Sequence, residues 1–132
     1  MSRYGALAQS FEARNLDAST FKHRDHIAVA YELLKKYDFI DATVRYAESL
    51  NAIATKAGAA RKYNTTITFA FMGLIAERID AGPDGCFDEF IAANADLLEK
   101  NPLAKWYSPE RLNNDLARKI FLLPDVLQGE TG

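Results

Sequence analysis

The sequence predicts an all-α fold: a single helical domain over residues 1–132, arranged as an up-down bundle of about five helices after a short N-terminal helix. Apolar residues recur at helical spacing in each predicted helix, and residue types that favour helix N-termini precede several of them. The seven glycines and four prolines cluster at a few points between these segments. This pattern is typical of consecutive helices joined by short loops.

The first half of the chain predicts one short helix and two long ones. The short helix covers about residues 6–14. A run of N-cap residue types at 17–20 precedes the first long helix, which we place at residues 21–37. The second begins at residue 38 or 39 and continues to about 57, because Gly58 is the residue type most common just beyond a helix end.

The third long helix is predicted over residues 64–80, and the Ala-Gly-Pro-Asp-Gly run at 81–85 stops it. One part of this segment has an alternative. Residues 66–71 alternate and are rich in β-branched and aromatic types, which is typical of a strand. The apolar pattern continues at helical spacing to Ile79, so we favour the helix.

Two more helices complete the predicted bundle. The fourth spans about residues 86–100 and stops before Pro102. The fifth begins at the Ser-Pro-Glu run of 108–110, where Ser caps the helix, Pro takes its first position and Glu faces the helix dipole. It continues to about residue 121, shortly before Pro124.

Composition excludes several classes of partner. The chain has 132 residues with 16 basic and 18 acidic side chains, a formal charge of −2, which predicts no nucleic-acid partner and no anionic membrane surface. Its longest apolar run, residues 69–76, is too short to span a membrane. The N-terminus lacks a signal-peptide pattern, so we expect a cytoplasmic protein. Cys86 is the single cysteine, which excludes an internal disulfide.

Polar residues on apolar helix faces mark the candidate site. His23 and His26 fall within the apolar stripe of the first long helix, and Asn64 and Thr68 fall on the apolar side of the third. In an up-down bundle the first, third and fifth helices run parallel, so their N-termini share one end. We therefore expect a polar pocket at that end.

Two tyrosines, Tyr63 and Tyr107, are expected at the rim of this pocket, with Ser108 beside them. Burial and the helix N-terminus both disfavour a charged imidazole, so neutral histidines are predicted at pH 7. A structural alternative stays open, because the same residues could form a hydrogen-bonded core network. Asn64 could also serve only as the N-cap of its helix.

A His-x-x-His pair on a helix can also present two ligands to a divalent metal ion, the one cofactor that the sequence suggests. A catalytic site needs a third ligand, commonly His or a carboxylate. The chain has no histidine besides His23 and His26. No HExxH motif is present, which excludes the metalloprotease interpretation.

Several short motifs resemble those of a bacterial family of small, uncharacterised all-helical proteins. The family pattern reads F-x-H-x-x-H, Y-H-E-T-I-T, Y-S, A-R and P-D, and the corresponding segments here begin at Phe21, Tyr63, Tyr107, Ala117 and Pro124. In the family the His-Glu pair would add a third imidazole and a carboxylate, which implies a metal or acid–base site. This chain has Asn64 and Thr65 at those two positions.

Three functions remain open from the sequence. The first is a small-molecule-binding helical domain that uses the polar pocket of His23, His26, Asn64 and Thr68, with Tyr63 and Tyr107 at its rim. The second is a metal-dependent enzyme in which His23 and His26 hold the ion. The third is a non-catalytic interaction protein or homodimer with structural histidines. The substrate, the reaction and the oligomeric state are not specified by these patterns.

Overall fold

A computed structural model describes residues 2–126 and shows an all-α bundle, which confirms the predicted fold class. Residues 1 and 127–132 of the predicted domain lie outside the described residues. The α-helices are α1 Arg3–Glu12, α2 His23–Lys36, α3 Phe39–Lys56, α4 Thr65–Ala81, α5 Phe87–Ala93, α6 Pro109–Leu112 and α7 Asp115–Lys119. Short 3₁₀ turns occur at Ala18–Thr20, Ala60–Lys62 and Ala95–Leu98.

Helix α2 is the centre of the core. It packs against α1, α3 and α4, and its buried stripe includes Ile27, Ala30 and Leu33, none of which is accessible to solvent. The two-residue connection to α3 makes α2 and α3 an antiparallel hairpin. Phe11 of α1 closes one side of this core, because its ring stacks on Tyr46 at a centroid distance of 5.2 Å.

The long helices begin and end as their sequences predict. The Asp38 carboxylate accepts a hydrogen bond from the backbone N–H of Asp41 at 2.9 Å and caps α3. After α3, Gly58 adopts a φ of +75°, a conformation that favours glycine. Residues 66–71 lie within α4, so the helical interpretation of this segment is confirmed and the strand alternative is wrong.

The two last predicted helices are each interrupted. The fourth ends at Ala93 because Asn94 leaves the helical conformation, and a 3₁₀ turn replaces its second half. The fifth divides into α6 and α7 at Asn113 and Asn114. The N-terminal helix is also displaced from the predicted residues 6–14, since Ser2 caps it and it ends at Glu12.

The chain then passes into an extended segment, residues 120–126, which we call the C-terminal strap. Thr66 of α4 holds its beginning, because the hydroxyl donates to the Ile120 carbonyl at 2.6 Å and accepts from the Leu122 N–H at 3.0 Å. The Tyr107 hydroxyl donates to the Leu122 carbonyl at 2.9 Å. These bonds fix the strap along α4.

The far end of the strap is held by hydrogen bonds at the surface. The carboxylate of Asp125 accepts hydrogen bonds from the backbone N–H of Ser108 at 2.8 Å and from its hydroxyl at 2.6 Å. The side chain of Arg111 donates to the Leu123 carbonyl at 3.0 Å.

Across residues 2–126, no helix is long and apolar enough to cross a membrane.

Candidate functional site

A groove of about 620 Å³ lies along α4. Its lining is predominantly apolar, with five aromatic rings and one charged side chain, and we call it the aromatic groove. The lining residues are Phe39, Phe69, Ala70, Gly73, Leu74, Ala76, Glu77, Leu103, Trp106, Tyr107, Phe121 and Pro124.

Small residues of α4 contribute to the lining of the aromatic groove. A Cβ atom built on Gly73 would meet no other atom within 4 Å, so open space lies beside this backbone. Ala70, one turn earlier, also contributes only a methyl group. An isolated glycine inside a helix costs about 1 kcal/mol relative to alanine. At this position the backbone has open space above it, which forms part of the groove.

Another part of the groove is provided by the C-terminal strap. Phe121 and Pro124 line the groove, and the ring of Phe121 lies 6.5 Å from that of Phe69 on α4. Leu122 lies between Phe121 and Pro124 in the sequence and is buried. Its backbone N–H donates a hydrogen bond to Thr66, which fixes the strap. The Phe121 ring and Pro124 are therefore presented by an extended segment whose backbone cannot shift without breaking several hydrogen bonds.

A smaller cleft of about 300 Å³ lies between α1 and α2. One of its charged groups, Glu12, accepts hydrogen bonds from the Tyr37 hydroxyl and pairs with Arg45 at 3.1 Å and Lys36 at 4.0 Å. This carboxylate is therefore already compensated within the protein. The aromatic groove is the stronger candidate because it is about twice as large and has one charged side chain in its lining, whereas the cleft has four.

The predicted polar residues lie elsewhere, and His26 is the most informative of them. Its Nδ1 atom lies 3.3 Å from the Tyr46 hydroxyl, and its ring lies 4.2 Å from that of Phe21. Burial lowers the pKa of His26 to about 4, and the nearby His23 adds to this effect. The predicted neutral ring is confirmed for His26.

The partner of His26 is equally desolvated. Burial raises the pKa of Tyr46, and Tyr63 lies close enough to raise it further. The Tyr46 phenol can donate to Nδ1, which leaves the hydrogen of the neutral imidazole on Nε2. A base with a pKa near 4 is weak at neutral pH. The arrangement therefore suits a structural hydrogen bond better than general-base catalysis.

His23 does not occupy the core position that its helical spacing predicts. It is the first residue of α2 and is exposed, with its Nε2 atom 2.8 Å from the Leu97 carbonyl. A carbonyl only accepts, so Nε2 carries the hydrogen. The ring lies 6.2 Å from that of Phe71 on α4, which does place this end of α2 beside α4.

Asn64 and Thr68 are buried, and both have partners within the fold. The Asn64 side chain accepts from the Ile67 N–H at 2.9 Å, which caps α4, and donates to the Leu112 carbonyl at 2.7 Å. The Thr68 hydroxyl donates to the Asn64 carbonyl at 2.7 Å. These contacts match the structural alternative for Asn64, and none of them involves either histidine.

The two tyrosines predicted at the rim have different positions. Tyr63 is half-buried close to Tyr46, whereas Tyr107 is buried and lines the aromatic groove. Tyr107 is the one predicted site residue that contributes to this groove. Neither of the two concave surfaces is lined by His23, His26, Asn64 or Thr68.

The geometry around the two histidines does not favour the metal alternative. Residues 2–126 contain no group of three or more His, Cys, Asp or Glu side chains placed to hold one metal ion. One ring nitrogen of each histidine is within hydrogen-bond distance of a protein group: the Leu97 carbonyl for His23 and the Tyr46 hydroxyl for His26. The third ligand that the His-x-x-His pair requires is therefore not supplied by the described part of the chain.

Fold and site together define a small all-α bundle with an apolar, aromatic groove along one helix. No family model matches the chain, and no curated protein or solved structure matches it either. The resemblance to the bacterial helical family stays a prediction.

Sequence reasoning missed most of the groove. Phe69 and Trp106 line the groove, but an aromatic residue in a helical pattern is equally compatible with a place in the core. The usable signal was Gly73, an isolated glycine in the middle of a predicted helix. Phe121 could not be identified as a groove residue, because the fifth helix was predicted to continue to about residue 121, where the structure has the extended strap.

Proposed function

We propose that the protein is a binding domain for an apolar small molecule, and that the ligand occupies the aromatic groove. The observation that carries this proposal is the open space above Gly73, bordered by aromatic rings from α3, α4 and the C-terminal strap. A volume of about 620 Å³ lies within the range of ligand sites, roughly 300–1,000 Å³.

The chemistry of the lining supports the same class of ligand. Phe69, Trp106 and Phe121 offer flat apolar surfaces. The Tyr107 hydroxyl already donates a hydrogen bond to the Leu122 carbonyl. A ligand would therefore meet few hydrogen-bonding groups and would be held by burial of its own apolar surface. Such burial contributes about 25 cal/mol per Å² before the entropic costs of binding.

Replacement of Gly73 tests the proposal. Gly73→Leu is expected to weaken binding of a neutral apolar probe, 4-phenylbutanol, at least about tenfold, because the leucine side chain fills the space that the ligand needs. Trp106 lines the groove and is the single tryptophan of the chain, so its fluorescence reports occupancy.

Gly73→Ala is the matched control. Its methyl group meets no neighbour and removes the helix penalty of glycine, so the free energy of unfolding should rise by about 0.5–1 kcal/mol. Binding should change far less than in Gly73→Leu. Equal binding by the Leu variant and the unchanged protein would contradict the proposed site.

Homodimerisation is the second candidate, and a specific observation favours it. Apolar side chains are exposed near the groove: Ile40 is 75% accessible, Leu123 68%, and both Phe39 and Phe121 45%. A face of this kind often marks an interface. Sedimentation over a range of concentrations should then show a dimer that Ile40→Asp dissociates, with probe binding retained because Ile40 does not line the groove. A constant monomer mass would reject this candidate.

A further inference from the structure

Glu77 is the one Asp, Glu, Lys or Arg side chain among the described residues that line the aromatic groove. It follows Gly73 by four positions on α4, so the two residues lie on the same helix face, one turn apart. Glu77 is exposed, and none of the ion pairs formed within residues 2–126 includes it. Its carboxylate is available to a ligand.

Arg78 is the cation adjacent to Glu77 in sequence. Hydrogen bonding to Asp96 raises the pKa of Arg78 and the charge of Glu77 adds to this, but the guanidinium forms its ion pair with Asp96. Arg78 donates to both carboxylate oxygens of Asp96, at 2.9 Å and 2.8 Å, and to the Asn94 side chain. Hydrogen bonding from Arg78 lowers the pKa of Asp96, and the charge of Lys105 adds to this. The groove therefore presents a negative charge without a compensating positive side chain in its lining.

Aromatic rings reinforce the preference for positive charge. The faces of Trp106, Phe69 and Phe121 carry negative electrostatic potential, and a cation within about 6 Å of such a ring gains roughly 0.5–1 kcal/mol at an exposed site. A carboxylate beside several aromatic rings is therefore complementary to an organic cation and repels an anion.

We propose that the ligand is an organic cation, an apolar body that lies over Gly73 and carries an ammonium group paired with Glu77. This inference rests on the proposed function and adds the charge class of the ligand. The apolar body supplies burial against the rings, and the ammonium selects against neutral and anionic molecules of the same size.

Three probes with one body test the charge class: 4-phenylbutylamine, 4-phenylbutanol and 4-phenylbutyrate. We expect the amine to bind about fivefold more tightly than the alcohol and the carboxylate to bind most weakly, as followed by Trp106 fluorescence and calorimetry. Higher salt should reduce the advantage of the amine, because the ion pair is partly exposed.

Glu77→Gln should bring the Kd of the amine to within about twofold of that of the alcohol and leave the alcohol unaffected. Asp80→Asn is the matched control, since Asp80 is an exposed carboxylate of α4 that does not line the groove. It should preserve the preference for the amine.

The outcomes separate the inference from the proposed function. Equal binding of the three probes, all blocked by Gly73→Leu, would overturn the cationic ligand and leave the groove as an apolar binding site. An amine preference that survives Glu77→Gln would also overturn the inference. No saturable binding of any probe would overturn both proposals.

Discussion

Thr66→Val is expected to lower the free energy of unfolding by about 2–3 kcal/mol, although the two side chains have nearly the same shape. Thr66 is completely buried, and its hydroxyl holds two backbone groups of the C-terminal strap, the Ile120 carbonyl and the Leu122 N–H. Valine would leave both groups without this partner. A buried donor or acceptor without a partner costs about 1–3 kcal/mol, more than the bond itself contributes.

Urea denaturation of Thr66→Val and two companions checks this expectation. Thr66→Ser keeps the hydroxyl and should lose less stability than the valine variant, through its missing methyl group. Thr68→Val removes a hydroxyl from the same helix, but the Asn64 carbonyl keeps its bond from the Thr68 N–H at 3.0 Å. Its cost should stay below about 1 kcal/mol. Equal losses in Thr66→Val and Thr68→Val would mean that the strap does not depend on Thr66.

The strap also connects stability with the proposed binding. Phe121 and Pro124 reach the aromatic groove from the strap, and Thr66 fixes the backbone on both sides of Phe121. A loosened strap would present these two side chains less rigidly, which reduces affinity for any ligand that packs against them. Thr66→Val should therefore weaken binding of 4-phenylbutanol as well as stability.

The long helices could be predicted because local signals agree with the packing. Helix α2 is buried at consecutive positions from Ile27 to Tyr31, α3 has Asp38 as its cap and Gly58 beyond its end, and α4 has Asn64 as its cap. Each predicted boundary lies within two residues of the observed one. The strand-like pattern of residues 66–71 did not override this, because the apolar spacing on both sides is helical.

The last two helices were predicted as continuous, but each is interrupted at an asparagine, which apolar periodicity alone does not reveal. Asn94 leaves the helical conformation, and its side chain bonds the Phe90 carbonyl at 2.9 Å and Arg78 at 3.0 Å. Asn114 caps α7 through the Ala117 N–H and also bonds carbonyls of the preceding turn. Asparagine competes with helical backbone bonds in this way, so both positions could have been read as caps.

The candidate site was harder to predict than the fold. Tyr107 is the one predicted site residue that lines the aromatic groove, whereas His26 and Asn64 make hydrogen bonds within the fold. Several motif residues that carry the family resemblance hold the strap, among them Thr66 and Ser108. A sequence shows that a polar residue lies on an apolar face, but its partner is set by elements distant in the chain. A buried network and a ligand pocket use the same residue types.

His26 is expected to make the protein lose about 3 kcal/mol of stability between pH 7 and pH 4. Its pKa falls from an unfolded value of 6.5 to about 4 in the folded protein, mainly through burial. Between these two pKa values, His26 is protonated in the unfolded chain and neutral in the folded protein. The free energy of unfolding therefore falls as the pH is lowered through this window and is constant, in this contribution, above about 6.5 and below about 4.

The carboxyl groups with shifted pKa values are shared by the unchanged protein and a His26→Gln variant, including Glu32, whose pKa is raised above 4.5 by burial. Hydrogen bonding holds the pKa of four carboxyls below 3.8, so their stabilising contribution is lost only as the pH falls through those lowered values; they belong to Asp17, Asp96, Asp115 and Asp125. A difference between the unchanged protein and His26→Gln, measured by urea denaturation from pH 7.5 to 4, therefore isolates the imidazole.

The variant should show a flatter pH dependence over this window, even if its stability at pH 7 is lower. His23→Gln is the companion variant: it removes a charge that helps to lower the pKa of His26, so it should reduce the loss without abolishing it. If His26→Gln loses as much stability between pH 7 and 4 as the unchanged protein, the imidazole is not desolvated in the folded state. The residue would then be available for chemistry at neutral pH, and the case for a functional histidine would have to be reopened.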